Sequence, residues 1–141
     1  MLKGIPTIIS PELLKILMEM GHGDTIVIAD GNFPASNYAK RLVRADGHNI
    51  PDVLKAILKL FPIDTYSKNP LSLMSIVQGD TVVPTIWKEY ENIIKKDFSN
   101  FSHFNFLERF DFYEKSKEAY AIISTSEEAL YANIILTKGV L

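Results

Sequence analysis

The chain has 141 residues, of which 47% are hydrophobic and 23% are charged, and its formal net charge is −2. This length fits one domain with a real core, and the charge gives no electrostatic reason to expect a nucleic-acid or membrane-surface partner. No apolar run approaches the ~20 residues of a membrane span, the N-terminus makes a poor signal peptide, and the absence of cysteine excludes disulfides and thiolate chemistry, so a cytoplasmic location is the default expectation.

Helical and strand patterns alternate along the chain. Residues 10–21 predict a helix with Ser10 as N-cap, Pro11 in the first turn and one apolar stripe. Residues 24–30 are a short apolar run that ends on Asp30, which suits a strand covered on both faces. The remaining pattern predicts helices at 50–62, 84–97 and 110–119, strands at 41–46, 71–80, 103–109 and 120–125, and a short helical turn with a last strand within 127–139.

This alternation predicts an α/β sheet with parallel character in one domain. The chain has no GxGxxG, GxxxxGK[ST] or GxSxG motif, so neither nucleotide binding nor a serine nucleophile has support. Its three histidines, His22, His48 and His103, lie far apart in the sequence, so no metal site is predicted. We expect His48 and His103 to be surface or structural residues.

A histidine and an aspartate bracket the first predicted strand. His22 lies between Gly21 and Gly23 just before the strand, and Asp30 follows its last residue. Ligands of open α/β sheets gather at the carboxyl ends of strands, which suits Asp30 but not His22. A strand of this length spans only ~17 Å. Either the loop folds back, or the two residues act in separate parts of a site, or a neighbouring subunit brings further groups to His22.

Four stretches of the chain resemble the L-fucose mutarotase family, whose relatives are the D-ribose pyranases. They are GIPTIISPELLKILMEMGHGDTIVIADGNFPA at 4–35, RADG at 44–47, ERFDFYEKSKEAYAII at 108–123 and ALYANIILTKGVL at 129–141. They occur in the family's order and at matching separations, so the resemblance covers essentially the whole chain.

The resemblance implies a Rossmann-like α/β sheet flanked by helices and a single sugar mutarotase domain over residues 1–141. It implies interconversion of the anomers of free sugars without cofactor or metal. It also implies a homo-oligomer, since bacterial members form ring-based decamers with sites at subunit interfaces, where the C-terminal YAN segment would reach a neighbour's His22 loop. Carried over by position, the catalytic candidates are His22 and Tyr113, and the candidates for sugar contact are Asp30, Asp64, Arg109, Tyr131 and Asn133.

These residue types suit the chemistry of ring opening. A histidine with an ordinary pKa near ~6.5 can take a proton from the anomeric hydroxyl or give one to the ring oxygen, and the Tyr113 hydroxyl is a second candidate for proton transfer. Arg109 offers a rigid fork of donors to neighbouring hydroxyls. Each residue also has a purely structural interpretation: His22 as loop punctuation, Asp30 as a turn cap, Arg109 as a surface ion pair with Glu108 or Asp111, and the tyrosines as packing.

Two positions depart from the family pattern. Gly31 stands where many relatives have Ala, and Ala132 stands where many have Gly, so Ala132 would be strained if its φ were positive. The ERF sequence at 108–110 favours the fucose branch. The leading hypothesis is an L-fucose mutarotase; the alternatives are pyranase-like interconversion of ribose and a non-catalytic monosaccharide-binding or sensing protein.

Overall fold

The structure is a computed structural model that describes residues 1–141. One sheet of six strands is flanked by five helices. In chain order the elements are α1 (Pro11–Glu19), β1 (Thr25–Ala29), α2 (Ala35–Tyr38), β2 (Leu42–Ala45), α3 (Ile50–Leu58), β3 (Leu71–Met74), α4 (Ile86–Asp97), β4 (Asn105–Leu107), α5 (Arg109–Glu118), β5 (Ala121–Thr125) and β6 (Ile134–Thr137). The predicted α/β fold with helices around one sheet is therefore confirmed.

The strand order across the sheet is β2-β5-β1-β6-β3-β4. Strands β1, β2 and β5 pair in parallel, as do β3 and β4, whereas β6 runs antiparallel to both of its neighbours, β1 and β3. Because five strands share one direction, their carboxyl ends meet at one edge of the sheet, together with the start of β6. We call this the carboxyl edge and the opposite one the amino edge.

The hydrophobic core lies in two layers on the two faces of the sheet. Alternate residues of β1 point to opposite faces: Ile26 and Ile28 join the larger cluster with α1, α3 and α4, and Val27 and Ala29 join the smaller cluster with α2 and α5. All four side chains are fully buried. This double coverage is the reason that β1 appears in the sequence as an unbroken apolar run.

Local signals in the sequence place α1 and α3 correctly. The Ser10 hydroxyl accepts a hydrogen bond from Leu13 N–H at 3.1 Å, and the Asn49 side chain accepts one from Asp52 N–H at 2.8 Å. Each helix has a proline in its first turn, where a missing N–H costs nothing.

Three sequence predictions need correction. The strand expected at 71–80 ends at Met74, because residues 75–85 leave the sheet as a loop that turns at Gly79, where φ is +89°. The short helix α2 was not predicted, and the helical turn expected within 127–139 is only a turn at residues 130 and 131.

The positive φ angle that would strain Ala132 occurs at the preceding residue, Tyr131. Tyr131 is the one non-glycine residue with positive φ, at +58°. Ala132 is fully buried, and its φ is not positive. Ala132 is therefore not strained at this site. None of the helices has the length and apolar character needed to cross a membrane.

Candidate functional site

The carboxyl edge brings five of the predicted site residues around one cavity. Asp30 follows β1, Asn133 precedes β6, and Arg109 and Tyr113 lie on the first two turns of α5, just after β4. Tyr131 completes the set. The cavity measures about 240 Å³, and the five residues line it with Asn32, Phe33, Met74, Val77, Asp80 and Leu130.

Asp30 and Asn133 hold each other by two hydrogen bonds. The Asp30 N–H donates to Asn133 Oδ1 at 2.8 Å, and Asn133 Nδ2 donates to Asp30 Oδ2 at 2.9 Å. Asn32 N–H donates to the second carboxylate oxygen at 2.9 Å. Both residues are buried: 8% of the surface of Asp30 and 5% of that of Asn133 is exposed. Each carboxylate oxygen keeps an acceptor position for a ligand hydroxyl.

Burial raises the pKa of the Asp30 carboxyl above its ordinary value. The hydrogen bonds from Asn32, Asn133 and Phe33 act in the opposite direction, and the negative charge of Glu127 adds to the increase. Burial thus leaves this carboxylate poorly solvated, so hydroxyl donors from a ligand would be favourable partners.

Arg109 and Tyr113 form a second polar part of the cavity lining. Arg109 Nε donates to the Tyr113 hydroxyl at 3.3 Å, a helical i,i+4 contact, rather than pairing with Glu108 or Asp111. The Tyr113 ring packs against Phe33 at 5.7 Å and against Tyr38 at 5.6 Å between ring centroids. Arg109 is exposed, so its remaining N–H groups are available to a ligand.

Tyr131 is fixed at both its backbone and its hydroxyl. Trp87 Nε1 donates to the Tyr131 carbonyl at 2.8 Å, and the Tyr90 hydroxyl donates to the next carbonyl, of Ala132, at 2.7 Å. The Tyr131 hydroxyl donates to Asp80 Oδ2 at 2.6 Å. This hydrogen bond raises the pKa of Tyr131, so its phenol remains protonated at neutral pH.

His22 and Asp64 lie together at the amino edge, away from this cavity. His22 Nε2 lies 3.0 Å from Asp64 Oδ1, and its ring is 5.4 Å from that of Tyr66. Because an ionised carboxylate only accepts, Nε2 carries the proton, and Nδ1 is the basic nitrogen of the neutral ring. The His22 side chain is 46% exposed, whereas that of Asp64 is 6% exposed.

Within one chain the two groups of residues do not meet. The chain crosses the sheet from Asp24 to Asp30, which at ~3.3 Å per residue separates the two edges by about 20 Å. The loop that carries His22 stays at the amino edge, where Gly23 N–H donates to the Lys138 carbonyl at 2.8 Å. Of the three possibilities for His22, folding back within the chain is excluded.

Asp64 is buried and yet its pKa is lowered. Burial acts to raise the pKa, but hydrogen bonds from Tyr66 N–H, from His22 and from Ser67 N–H outweigh it. A lowered pKa in the folded state means that the ionised carboxylate stabilises the fold above its ordinary pKa of about 3.9, and that this contribution is lost as the pH falls through the folded-state value.

We therefore predict that Asp64→Asn lowers the free energy of unfolding by about 1–3 kcal/mol at pH 7, the cost of an unsatisfied buried donor. The difference from the unaltered protein should shrink below about pH 4. Urea unfolding at pH 7 and pH 3 measures it, and Asp97→Asn, which removes an exposed carboxylate, is the control. An equal difference at both pH values would contradict this account.

The sequence analysis missed Asp80, Trp87 and Tyr90, which hold Tyr131 in place. An aspartate after a glycine is typical of any turn, and the two aromatic residues lie on α4 among other core positions, so no sequence signal marks them. His48 and His103 are exposed, as expected. No group of three or more His, Asp or Glu residues is arranged to hold a metal ion.

The fold and the cavity define a small α/β domain with a pocket of mixed polar and apolar side chains at its carboxyl edge. Residues 3–141 match the model of the RbsD / FucU transport protein family, and the chain belongs to this family. It is 47% identical to the fucose mutarotase of Homo sapiens, an alignment that covers 99% of this chain and 94% of the human protein.

Solved structures extend this comparison. The fucose mutarotase of Streptococcus pneumoniae in complex with L-fucose is 51% identical, covers 99% of both chains and has a TM-score of 0.95. RbsD of Bacillus subtilis complexed with D-ribose is 24% identical with a TM-score of 0.74, over 100% of this chain and 99% of that one, and shares the fold. The family predicted from the sequence is thus confirmed.

Proposed function

We propose that this chain is an L-fucose mutarotase, an isomerase that interconverts the α and β anomers of L-fucose or a close monosaccharide, with residues 1–141 acting as one domain. The observation that carries this proposal is the full-length similarity to the streptococcal mutarotase solved with L-fucose. The cavity gives independent support. At about 240 Å³ it is smaller than the roughly 300–1,000 Å³ of drug-sized pockets, as suits a single sugar ring.

The carboxyl-edge cavity is the proposed sugar site. The Asp30 carboxylate accepts sugar hydroxyls, while the free N–H groups of Arg109 donate to neighbouring ones. Asn133 keeps Asp30 oriented through their two hydrogen bonds. The rings of Tyr113 and Phe33, which both line the cavity, offer an apolar face to the C–H side of the sugar.

His22 would reach this site from a neighbouring copy of the chain. It lies at the opposite edge of its own sheet, half-exposed, and Asp64 fixes which of its nitrogens carries the proton. A homo-oligomer in which one copy's His22 loop meets the next copy's cavity would assemble the complete site. A ring-based decamer is the assembly that the family resemblance implies. Asp64 then acts through His22 rather than on the sugar itself.

The reaction needs two proton transfers and no redox change. Nδ1 of His22 removes the proton of the anomeric hydroxyl, the bond between C1 and the ring oxygen breaks, and the ring oxygen takes up a proton. The open-chain aldehyde rotates about its C1–C2 bond, and the reverse steps close the ring as the other anomer. The Tyr113 hydroxyl is the proposed proton donor to the ring oxygen, because it lines the cavity and Arg109 donates to it. Side chains alone supply this chemistry, so we expect EDTA treatment to leave the activity unchanged.

The test is the rate of anomeric exchange of L-fucose, measured by NMR saturation transfer with and without the protein. We expect faster exchange of L-fucose than of D-ribose. Faster exchange of D-ribose would favour the pyranase alternative. Binding of L-fucose without any acceleration would indicate a binding or sensing protein. A cytoplasmic location also remains a prediction, which fractionation of the source cells would test.

A further inference from the structure

We propose that Asp80 is a positioning residue of the sugar site, which holds the Tyr131 hydroxyl so that it accepts a hydrogen bond from the sugar and does not donate one. The inference rests on the proposed function and assigns a role to the loop at 75–85, which the proposed mechanism does not use. It starts from the short hydrogen bond of 2.6 Å between the Tyr131 hydroxyl and Asp80 Oδ2.

Asp80 is itself held by the loop. Its backbone N–H donates to the Val77 carbonyl at 3.0 Å, and its Oδ1 accepts from Val82 N–H at 3.0 Å. The two carboxylate oxygens therefore accept different hydrogen bonds. Oδ1 accepts the one that closes the turn of the loop, and Oδ2 accepts the one from the Tyr131 hydroxyl. The hydrogen bond from Tyr131 lowers the pKa of Asp80, so the carboxylate is ionised and can only accept.

The hydrogen bonds of the Tyr131 oxygen can be counted completely. A phenol has one proton and two acceptor positions. The proton goes to Asp80, and Val77 N–H donates to the oxygen at 3.2 Å. One acceptor position remains, and Tyr131 lines the cavity. A sugar hydroxyl that meets this oxygen must therefore donate, which fixes the direction of one hydrogen bond in the complex.

The backbone of Tyr131 supports the same conclusion. A tyrosine with φ of +58° is uncommon and strained, and surrounding contacts must offset this strain. Trp87 and Tyr90 supply such contacts through the carbonyls of Tyr131 and Ala132. Backbone and hydroxyl are thus fixed from two elements, α4 and the loop at 75–85, which is what a sugar-orienting side chain requires.

The decisive variant is Asp80→Asn, because it preserves the shape and changes only the hydrogen bonds. An amide has one acceptor oxygen, which Val82 N–H takes, so its NH₂ group faces the Tyr131 oxygen. The phenol proton is then released towards the cavity, and the direction of the hydrogen bond to the sugar reverses. We expect the KM for L-fucose to rise about fivefold to twentyfold, with kcat changed by less than about twofold.

A double-variant cycle tests the link to Tyr131. Tyr131→Phe should raise KM by about the same factor, and Asp80→Asn should add nothing in the Tyr131→Phe background, since no phenol is left to orient. Asp97→Asn, an exposed carboxylate at the end of α4, is the charge-matched control and should leave KM unchanged. Partial unfolding would lower the apparent kcat and not raise KM, so it does not imitate the expected result.

Three results would overturn the inference: an unchanged KM in Asp80→Asn, a loss of kcat alone, or effects that multiply in the double variant. If the unaltered protein accelerates exchange and one of these is found, only the role of Asp80 fails. If it accelerates nothing, the proposed function fails, and the Kd for L-fucose from calorimetry replaces KM in the same cycle. Absence of L-fucose binding to the unaltered protein would overturn both.

Discussion

His22→Gln is expected to slow the protein-catalysed exchange of L-fucose anomers by about 10²–10⁴-fold, the usual contribution of a general acid or base. Glutamine keeps an N–H that can donate to Asp64, but it cannot titrate. Because the His22 side chain is half-exposed, the free energy of unfolding should change by no more than about 0.5 kcal/mol. NMR saturation transfer measures the rate, and thermal unfolding checks the fold.

Mixing variants tests whether His22 acts on a neighbour. His22→Gln lacks the base, and Asp30→Asn binds L-fucose weakly, so each alone should have little activity at L-fucose concentrations well below the KM of the Asp30→Asn variant. If the variants are unfolded together and refolded at equal amounts, about one quarter of the contacts will join an intact His22 to an intact cavity. We expect roughly that share of the activity to return. No recovery from verified mixed assemblies would contradict a site shared between copies.

Asp30→Asn is expected to weaken the binding of L-fucose by about 10- to 150-fold, because a hydrogen bond to a charged acceptor contributes ~1.5–3 kcal/mol. The amide has one acceptor oxygen where Asn32 and Asn133 now use two, so few positions remain for the sugar. Calorimetry of L-fucose binding measures the loss. Asp111→Asn, on an exposed face of α5, is a control that should bind normally.

The pH dependence of binding should identify the Asp30 carboxylate directly. Its pKa is raised in the folded chain, so it takes up a proton at a higher pH than an ordinary aspartate. In the His22→Gln background, where residue 22 does not titrate, we expect the affinity for L-fucose to fall as the pH drops towards this raised pKa, beginning above about pH 4. Asp30→Asn should remove the dependence. An affinity that stays constant down to pH 4 would contradict the role of the ionised carboxylate.

The sequence predicted the elements whose signals are local. The apolar run of β1, the capped starts of α1 and α3, and the alternation of strands and helices follow from hydrogen bonding and burial over a few residues. The direction of each strand in the sheet does not follow from such local signals. A short apolar strand can pair in either direction, so the antiparallel placement of β6 between β1 and β3 depends on contacts far away in the chain. The four-residue α2 is likewise fixed by packing, with Ala35 buried beside Phe33.

The candidate site divides in the same manner. Asp30 was predicted because polar residues at the carboxyl end of a strand are informative in α/β sheets. Its partner Asn133 lies 103 positions away, and only the pairing of β1 with β6 brings the two together. The loop at 75–85 looked like the continuation of a strand because Ile76 and Val77 are apolar. Asp80 therefore fell at the end of a predicted strand with no signal of a site role, although it holds the hydroxyl of a predicted site residue.

The antiparallel strand β6 has a consequence for how copies can be joined. It begins beside the cavity, after Asn133, and ends at the His22 loop, where the Lys138 carbonyl accepts from Gly23 and the Lys138 ammonium donates to the Leu17 and Met20 carbonyls. Strand β6 thus separates the cavity from the His22 loop of the same chain. In the proposed function, one copy alone therefore does not form a complete site. An open head-to-tail chain of copies would leave an unpaired cavity at one end and an unpaired His22 loop at the other. A closed ring would pair every cavity with a His22 loop. Specific activity would then fall on dilution, in step with the loss of closed rings.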